Sequence, residues 1–397
     1  MSEAVRARGE RHRVAFRYHK VDQYGHPVAG EYDLSGYVRS ASLTLNADVD
    51  VKVQLDLTME GTPLLDPLVD WVKVLALETI GDTEAEWPLG IYRLSTPRET
   101  LSPLSQEWQL HGYGREIQLV QDKFTEAYTV AAGSNPSDEA VAICVSAGIP
   151  ASMLNLPATE HVLPVAMTWE QGIAKLRAVN ELLASFGAYS SWADANGYLT
   201  TRVPVALESE TPAVTYATGE AGIVEAPAER QQDDTGVANR VVVRVKNADS
   251  IYSIVATLAD TGHRLHPANL GYTRTNTYEL QTVVDVGVAM EFAERRLEEG
   301  LSFYTRCSIQ TFLDFARAGN AFEVYELDLR DKDDVVLVDG NWRVKGWTMG
   351  LAADGGMVHD LRRVETIGGA IDLSQVFIHM NVQIFEPLAI DDEVAIA

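Results

Sequence analysis

Residues Val335–Val364, VVLVDGNWRVKGWTMGLAADGGMVHDLRRV, contain three extended runs separated by two turn signals. Asp339-Gly340 lies between the first two runs, and a two-residue hairpin turn needs the positive φ that Gly adopts freely and Asp tolerates. Asp354-Gly355-Gly356 marks a second turn before the last run. The stretch therefore predicts a three-stranded antiparallel meander with its first hairpin at Asp339-Gly340. Such a small sheet must bury one face, so an earlier part of the chain has to complete the domain.

The composition is that of a folded, acidic protein. The chain has 397 residues, of which 46% are hydrophobic and 22% charged, and this length suits about two to four domains. Its formal charge of −25 argues against a protein that grips nucleic-acid phosphates. The first residues lack the apolar core of a signal peptide and no apolar run is long enough to span a membrane, so we expect synthesis in the cytoplasm. Cys144 and Cys307 are the only cysteines, which favours buried reduced thiols over a disulfide framework.

The first third of the sequence predicts antiparallel strands. Apolar residues occupy every odd position of Val49–Met59, which is the alternation of a half-buried strand, and Leu34–Leu45 is its expected partner. No helix of ordinary length is evident before residue 115. Further extended segments are expected at His12–Lys20, Trp71–Thr79, Gly90–Ser95 and Glu107–Gly112. We therefore expect a barrel or a sandwich, since either arrangement covers the edges that so many strands create.

Helices are predicted only after this β region. Asn135-Pro136 offers an N-cap followed by a proline at the first helical position, which predicts a helix over residues 136–147. Thr168–Gln171 matches a capping box, so a second, amphipathic helix is predicted from Thr168 to Gly187. A third is predicted over Val286–Glu299, with Asp285 as its cap. Asn196-Gly197 predicts a turn between two short strands.

No pattern in the sequence demands an enzyme, and no residue is predicted to be catalytic, cofactor-binding or metal-binding. The sequence has no phosphate-binding loop and no nucleophile elbow. His263 and His266 lack further ligands at metal-binding spacing. The run from Asp331 to Asp334 is expected to be a solvated turn, because it lacks the glycine and distal glutamate of a calcium loop. Trp342 and Trp347 are expected on opposite faces of one strand, which disfavours a sugar platform.

The order of several segments resembles a known family. The segments are WPLGIYRLSTP, EWQLHGYGREIQLVQDK, NPSDEAVAICVSAGIP, MTWEQGIAKLRAVNELLASFGAYSSWADANGYLTTRVP, ANRVVVRV and the closing meander. Together they resemble the baseplate or tail-tip hub proteins of long-tailed bacteriophages, including the hub region of tail-associated lysins. The resemblance covers roughly residues 12–366.

The resemblance implies an α+β, mainly β chain with two related antiparallel β-barrel domains, an interposed α+β region and a short C-terminal extension. The corresponding division is residues 1–127 for the first barrel, 128–203 and 247–300 for the middle region, 204–246 and 301–366 for the second barrel, and 367–397 for the extension. It also implies a homotrimer whose six barrels form a pseudo-sixfold ring in the virion. The partners implied are a distal tail protein or tail tube, the tape measure protein, and fibre or tip proteins, with DNA passing through unbound.

Two other kinds of function remain open. A receptor- or carbohydrate-binding tail protein would use exposed aromatic side chains such as Trp71, Trp87 or Trp108. A cell-wall hydrolase is the third candidate, although only about thirty residues follow Thr366, which leaves no room for an appended lytic domain of ordinary size. The strand-like Val376–Phe385 is instead expected to add a strand to the sheet of a partner.

Overall fold

A computed structural model describes residues 12–28, 32–61, 65–101, 106–205, 210–218, 223–232, 237–246, 251–302, 305–363 and 371–378. The chain is α+β and mainly β, as the sequence predicts. Within these residues the largest sheet has 12 strands, which come from residues 12–113 and 214–363, while the longer helices come from chain segments between these strands. Val376–Ile378 of the predicted partner-binding strand is described, and the rest of that segment lies outside the described residues.

The first part of the chain supplies half of this sheet. Its strands are β1 (His12–Val21), β2 (Val38–Asn46), β3 (Val53–Glu60), β4 (Trp71–Ile80), β5 (Thr83–Leu101) and β6 (Gln106–Tyr113). They lie in the order β1-β4-β5-β6-β3-β2, with every neighbouring pair antiparallel. The alternation that predicted a strand from Val49 forms β3, but the strand begins at Val53. Residues before it close the β2–β3 turn, where the Asn46 amide donates to the Lys52 carbonyl at 2.9 Å.

A helical region follows. Its elements are α1 (Glu116–Gln121), β7 (Tyr128–Val130), α2 (Pro136–Ser146), β8 (Leu154–Asn155), β9 (Met167–Trp169), α3 (Lys175–Ser185), β10 (Trp192–Ala193) and β11 (Leu199–Thr200). Helix α2 confirms the prediction, and the Asn135 side chain accepts from the amides of Ser137 and Asp138 as an N-cap should. The turn predicted at Asn196-Gly197 joins β10 to β11, with Gly197 at a φ of 80°.

The predicted start of α3 is wrong. Thr168 and Gln171 match a capping box in sequence, but the helix begins at Lys175. Thr168 instead belongs to β9, where its hydroxyl lies 2.9 Å from the hydroxyl of Thr129 on the paired strand β7. The backbone of Thr168 therefore pairs with β7 instead of forming the first helical turn that the capping-box pattern predicts.

The remaining elements alternate between two sheets. They are β12 (Val214–Ala217), β13 (Val224–Gln232), β14 (Arg240–Lys246), β15 (Ile251–Leu258), α4 (Pro267–Leu270), β16 (Thr275–Leu280), α5 (Val286–Ser302), β17 (Thr305–Phe312), β18 (Val324–Arg330), β19 (Val336–Gly350), β20 (Gly356–Arg363) and β21 (Ile371–Ile378). Strands β12, β13 and β17 to β20 complete the large sheet. Helix α5 confirms the third predicted helix and extends it past Gly300.

A separate four-stranded sheet packs against α5, in the order β16-β14-β15-β21. It includes β14, which the sequence-based division assigned to the second barrel. It also includes β21, so Val376–Ile378 pairs with Ile251–Ser253 of the same chain. Among the described residues β21 is the edge strand of this sheet, and the expectation that Val376–Phe385 adds a strand to a partner's sheet stays a prediction. The alternating valines of β14 and the apolar face of α5 share one core, which is why these distant segments meet.

The meander exists, but its first hairpin is not at Asp339-Gly340. β19 runs through both residues without turning, and Gly340 keeps a φ of 83° inside the strand. The turn lies earlier, where the Asp331 carboxylate accepts from the amides of Asp333 and Val335. The meander therefore consists of β18, β19 and β20, and its second turn falls at Asp354–Gly356 as predicted.

The two halves of the large sheet have the same strand order. The second half runs β12-β18-β19-β20-β17-β13, so β12, β13, β17, β18, β19 and β20 take the places of β1 to β6 in turn. One pairing differs in direction, because β12 is parallel to β18 whereas β1 is antiparallel to β4. Bulges fall in three corresponding pairings, β2–β3 with β13–β17, β4–β5 with β18–β19, and β5–β6 with β19–β20. The sheet is therefore an internal repeat.

Side chains repeat this correspondence inside β5 and β19. Gly90 and Gly340 both have positive φ, and each lies two residues before a large buried aromatic side chain. The Tyr92 hydroxyl donates to the Leu89 carbonyl at 2.7 Å, and the Trp342 indole nitrogen donates to the Asp339 carbonyl at 3.0 Å. In both halves the glycine permits a local distortion of the strand that brings the ring back onto its own backbone.

Candidate assembly interface

The two halves of the large sheet join where β2 lies antiparallel to β19. The paired residues are Gly346 with Asn46, Trp347 with Leu45, Thr348 with Thr44, Met349 with Leu43, and Gly350 with Ser42. Backbone hydrogen bonds flank the ladder, from the Ala47 amide to the Lys345 carbonyl at 2.8 Å and from the Leu351 amide to the Ala41 carbonyl at 2.9 Å. We call this contact the closed junction.

The closed junction is apolar beneath and closely packed. Leu43, Leu45, Trp347 and Met349 are all buried and belong to one core that continues through both halves. A Cβ atom on Gly346 would lie 2.6 Å from the Leu45 carbonyl oxygen, so only glycine fits there without a shift of the backbone. The halves therefore fold as one packed unit.

An ionic cluster ties β19 to the helical parts of the chain. The Arg343 guanidinium lies 2.5 Å from the Tyr189 hydroxyl, 2.7 Å from the Glu210 carboxylate and 3.7 Å from that of Glu299. Burial raises the pKa of Glu299, but the surrounding cations outweigh it and hold that pKa below its ordinary value. Those cations are Arg296, Lys345, Arg295 and Arg343. Glu299 thus stays ionised and fixes α5 against the sheet.

A second buried charged group lies in the first half. Glu116 and Arg115 are fully buried, and the Arg115 side chain donates to the carbonyls of Gly197 at 2.8 Å and Gln23 at 2.6 Å. Burial raises the pKa of Glu116 and lowers that of Lys52. Arg115 therefore holds three distant segments together through their backbones, which is a structural role.

A third buried polar group lies in the second half, around His359. Its Nε2 is 3.0 Å from the Thr311 hydroxyl, and its ring packs against Tyr216 and Tyr325. Burial, assisted by the charge of Arg317, lowers the pKa of His359 to about 3. The imidazole is therefore neutral in the folded protein at neutral pH.

This chain shares its fold with proteins of known structure. No protein-family profile matches the sequence, and no curated protein matches it. The tail protein from Neisseria meningitidis MC58 superimposes with a TM-score of 0.60 at 15% identity, over 88% of this chain and 97% of that one. The 43 kDa tail protein of prophage MuSo2 from Shewanella oneidensis gives 0.57 at 12% identity, over 88% and 96%. The chain has a phage tail-protein fold.

The tail-protein fold also occurs within a larger assembly. A chain of the Francisella PdpA-VgrG complex superimposes with a TM-score of 0.50 at 7% identity, over 89% of this chain but 53% of that one. This chain thus matches the two tail proteins over nearly their full length, whereas it matches only about half of the Francisella chain.

The tail-protein fold buries most of the aromatic side chains considered for sugar binding. Trp342 and Trp347 both lie in the core, because a bulge at Lys345 interrupts the alternation between them. Trp71 is buried beneath the Arg115 guanidinium, 5.3 Å from its ring centroid. Trp87 and Trp108 pack, half-buried, against the same core. The tryptophans thus serve packing rather than an open platform.

The histidines and cysteines examined in the sequence are structural. The His266 Nδ1 accepts from the Ala268 amide, and the His263 Nδ1 accepts from the Leu265 amide. Cys144 and Cys307 are buried free thiols, as predicted. Within the described ranges no three His, Cys, Asp or Glu side chains are grouped as a metal site requires. No helix in the same ranges is long and apolar enough to cross a bilayer.

Sequence reasoning missed the residues of the closed junction. They were recognised as strand residues, but nothing local indicated that Leu43 would lie opposite Met349, some three hundred residues away. The only available signal was the apolar alternation of both strands, which marks buried faces without naming their neighbours.

Proposed function

We propose that this protein is a structural, non-enzymatic component of a phage tail tip or baseplate, namely a hub in which three copies close a pseudo-sixfold ring. The observation that carries the proposal is the repeat of one six-stranded order in both halves of the large sheet. Two repeats a chain give six from three chains. The near full-length match to two tail proteins supports the tail as the place of action.

The closed junction supports this ring, because it is a contact that rotation can repeat. It joins the second strand of one repeat to the fifth strand of the other, so its two surfaces differ and the contact is heterologous. A heterologous contact that is repeated by rotation forms a closed ring when the rotation closes. In this proposal residues 1–127 and residues 204–246 with 301–366 contain the ring repeats. The helical region and the four-stranded sheet are separate from these repeats, although β14 of that sheet falls within residues 204–246 and β21 follows residue 366.

The ring would adapt a sixfold tail tube or distal tail protein to a threefold tip. Tape measure protein and fibre or tip proteins are its other proposed partners, and DNA leaves through its centre. The formal charge of −25 on each chain supports this path, because an acidic wall repels DNA rather than binding its phosphates. The assembled location is the virion, after synthesis in the host cytoplasm.

Mass measurement tests the ring. One chain has a mass of 43.6 kDa, and we expect light scattering over a concentration series to reveal a species of three times that mass. Negative-stain images of that species should show a central opening and six peripheral lobes. A monomer at every concentration would contradict self-assembly of the hub. Clearing of peptidoglycan in a zymogram would contradict the non-enzymatic role.

A further inference from the structure

Because the strand order is repeated, the sheet has two equivalent pairs of strand edges. The closed junction joins the strands of only one pair. It places β2, the second strand of the first repeat, along β19, the fifth strand of the second repeat. The second strand of the second repeat is β13, and the fifth strand of the first repeat is β5. We call β13 and the last residues of β5, Pro97–Leu101, the open edges.

The residues that would pair along the two open edges are exposed. All residues from Pro97 to Leu101 are exposed, with Leu101 at 71%, and so are all residues from Glu229 to Gln232. Within the described chain, β13 pairs only with β17, and β5 beyond Arg93 pairs only with β6. Two strand edges that are able to pair therefore lie at opposite ends of the repeated sheet.

The repeat fixes which residue of β13 corresponds to which residue of β2. Cys307 and Leu55 occupy the same buried place on the third strand of their repeats. Arg230 pairs with Cys307, and Leu43 pairs with Leu55. Arg230 therefore stands where Leu43 stands in the closed junction.

The repeat also aligns β5 with β19. Tyr92 of β5 corresponds to Trp342 of β19. Counted from these residues along the paired strands, the buried Leu110 of β6 corresponds to the buried His359 of β20. Trp108 of β6, which pairs with Glu99, then corresponds to Met357 of β20, which pairs with Met349. Glu99 therefore stands where Met349 stands in the closed junction.

We propose that β13 of one copy pairs antiparallel with the end of β5 of a second copy, with Arg230 directly opposite Glu99. This contact between two chains has the same arrangement as the contact between Leu43 and Met349 within one chain. It rests on the ring proposed above and specifies the strands, the register and the residues that would close it.

The charges along the two edges agree with this register. It places Arg230 opposite Glu99, Gln231 opposite Arg98, and Glu229 opposite Thr100. Glu229 and Arg98 then become diagonal neighbours on one face, which long side chains can bridge. A shift by one residue would move Arg230 and Glu99 to opposite faces. Pro97 has no amide hydrogen to donate, so the ladder ends there.

Paired cysteines test the register. Directly opposite residues approach closely enough for a disulfide, and adjacent pairs alternate between the wide and the narrow spacing. Two double variants, R230C with E99C and Q231C with R98C, therefore include one narrow pair. Oxidation of the purified full chain should convert most of at least one variant into covalent dimers and trimers on a non-reducing denaturing gel.

The matched control is R230C with R98C, which is out of register by one residue and should remain monomeric on the gel. Cys307 lies directly opposite Arg230 on β17, so all of these variants also carry C307A, which removes an intrachain partner for the new thiol. Cys144 should not interfere, because burial raises the pKa of its thiol to about 12. A trimer by light scattering that neither in-register variant crosslinks would overturn the register and leave the ring standing. A crosslinked monomer would overturn it too, because both edges would then meet within one chain. Absence of any trimer would overturn ring and register together.

Charge reversal gives a second test that leaves the core untouched. E99R and R230E should each weaken trimer formation by roughly two- to fivefold per contact, the range for one cross-strand pair. The double variant E99R with R230E should restore it, since the opposite charges face each other again. Both residues are exposed, so thermal unfolding of the monomer should not change. Equal weakening in the single and double variants would count against the pairing.

Discussion

The closed junction and the open edges occupy equivalent places in the repeat but carry opposite side chains. Leu43 and Met349 meet in the core, and the residues in the same places on the open edges are Arg230 and Glu99. An apolar edge must be covered as the chain folds, whereas a charged edge stays soluble until a partner arrives. The same backbone pairing therefore serves folding at the closed junction and, in our proposal, assembly at the open edges.

The cores of the two repeats differ in a similar way. Leu110 lies in the place of His359, and Met59 lies in the place of Thr311. The first repeat is thus apolar where the second has a hydrogen-bonded histidine and hydroxyl. Because a buried imidazole must remain neutral, the second repeat should be the acid-sensitive one.

Truncation of the closed junction should have the largest effect on stability. L43A removes a fully buried side chain, and its cost in the free energy of unfolding should be roughly 2–5 kcal/mol. The matched variant R230A changes the corresponding exposed residue, and its cost should stay within about 0.5 kcal/mol. Urea unfolding of both variants measures the difference. Similar losses would mean that β2 and β13 are equally packed, contrary to the comparison.

Acid should act chiefly through His359. Its pKa is lowered in the folded state to about 3, so the unfolded chain binds the proton first as pH falls below about 6.5. Stability is then lost progressively from pH 6.5 down to pH 3, by up to roughly 4 kcal/mol. Urea unfolding across this range should show the loss.

The control H359L copies Leu110 of the first repeat and should remove that part of the pH dependence. Thr311 keeps a partner in this variant, because its hydroxyl also donates to the Phe312 carbonyl at 2.8 Å. An unchanged pH slope in H359L would assign the acid sensitivity to carboxylates instead.

A smaller effect is expected from a single methyl group in the closed junction. G346A places a Cβ 2.6 Å from the Leu45 carbonyl oxygen, so the ladder must shift, at a cost of about 1–3 kcal/mol. G36A is the matched control, since a Cβ there has no atom within 4 Å. Chemical denaturation should separate the two variants, and equal midpoints would show that the junction tolerates the shift.

The predicted helices show where sequence reasoning succeeds and fails. Asn135-Pro136 and Asp285 begin helices as predicted, because a cap satisfies the amides next to it in the sequence. Thr168 carries an equally good local signal, yet its segment pairs with β7. Pairing with β7, a strand some forty residues away, outweighs the helix cap at Thr168. The residues near Thr168 in the sequence give no sign of that strand.

The misplaced hairpin at Asp339-Gly340 has the same origin. The dipeptide indicates a positive φ correctly, since Gly340 adopts one. It does not say whether the chain turns there or continues as a distorted strand. β18 decides this, because it pairs continuously with β19 past Gly340, from Val324 to Leu329.

Four features could be predicted from the sequence alone: the mainly β class, the helix at Pro136–Ser146, the turn at Asp354–Gly356 and the burial of both cysteines. Each follows from composition or from interactions between residues close in the chain. The recurrence of six strands in one order, the pairing of β2 with β19 and, within the described residues, the edge position of β13 depend on contacts between distant parts of the chain. The alternation of apolar and polar residues indicates which side chains face the core, but backbone hydrogen bonds are the same for every residue and do not specify which strand is the partner. The partner of a strand is therefore chosen by how the whole sheet packs.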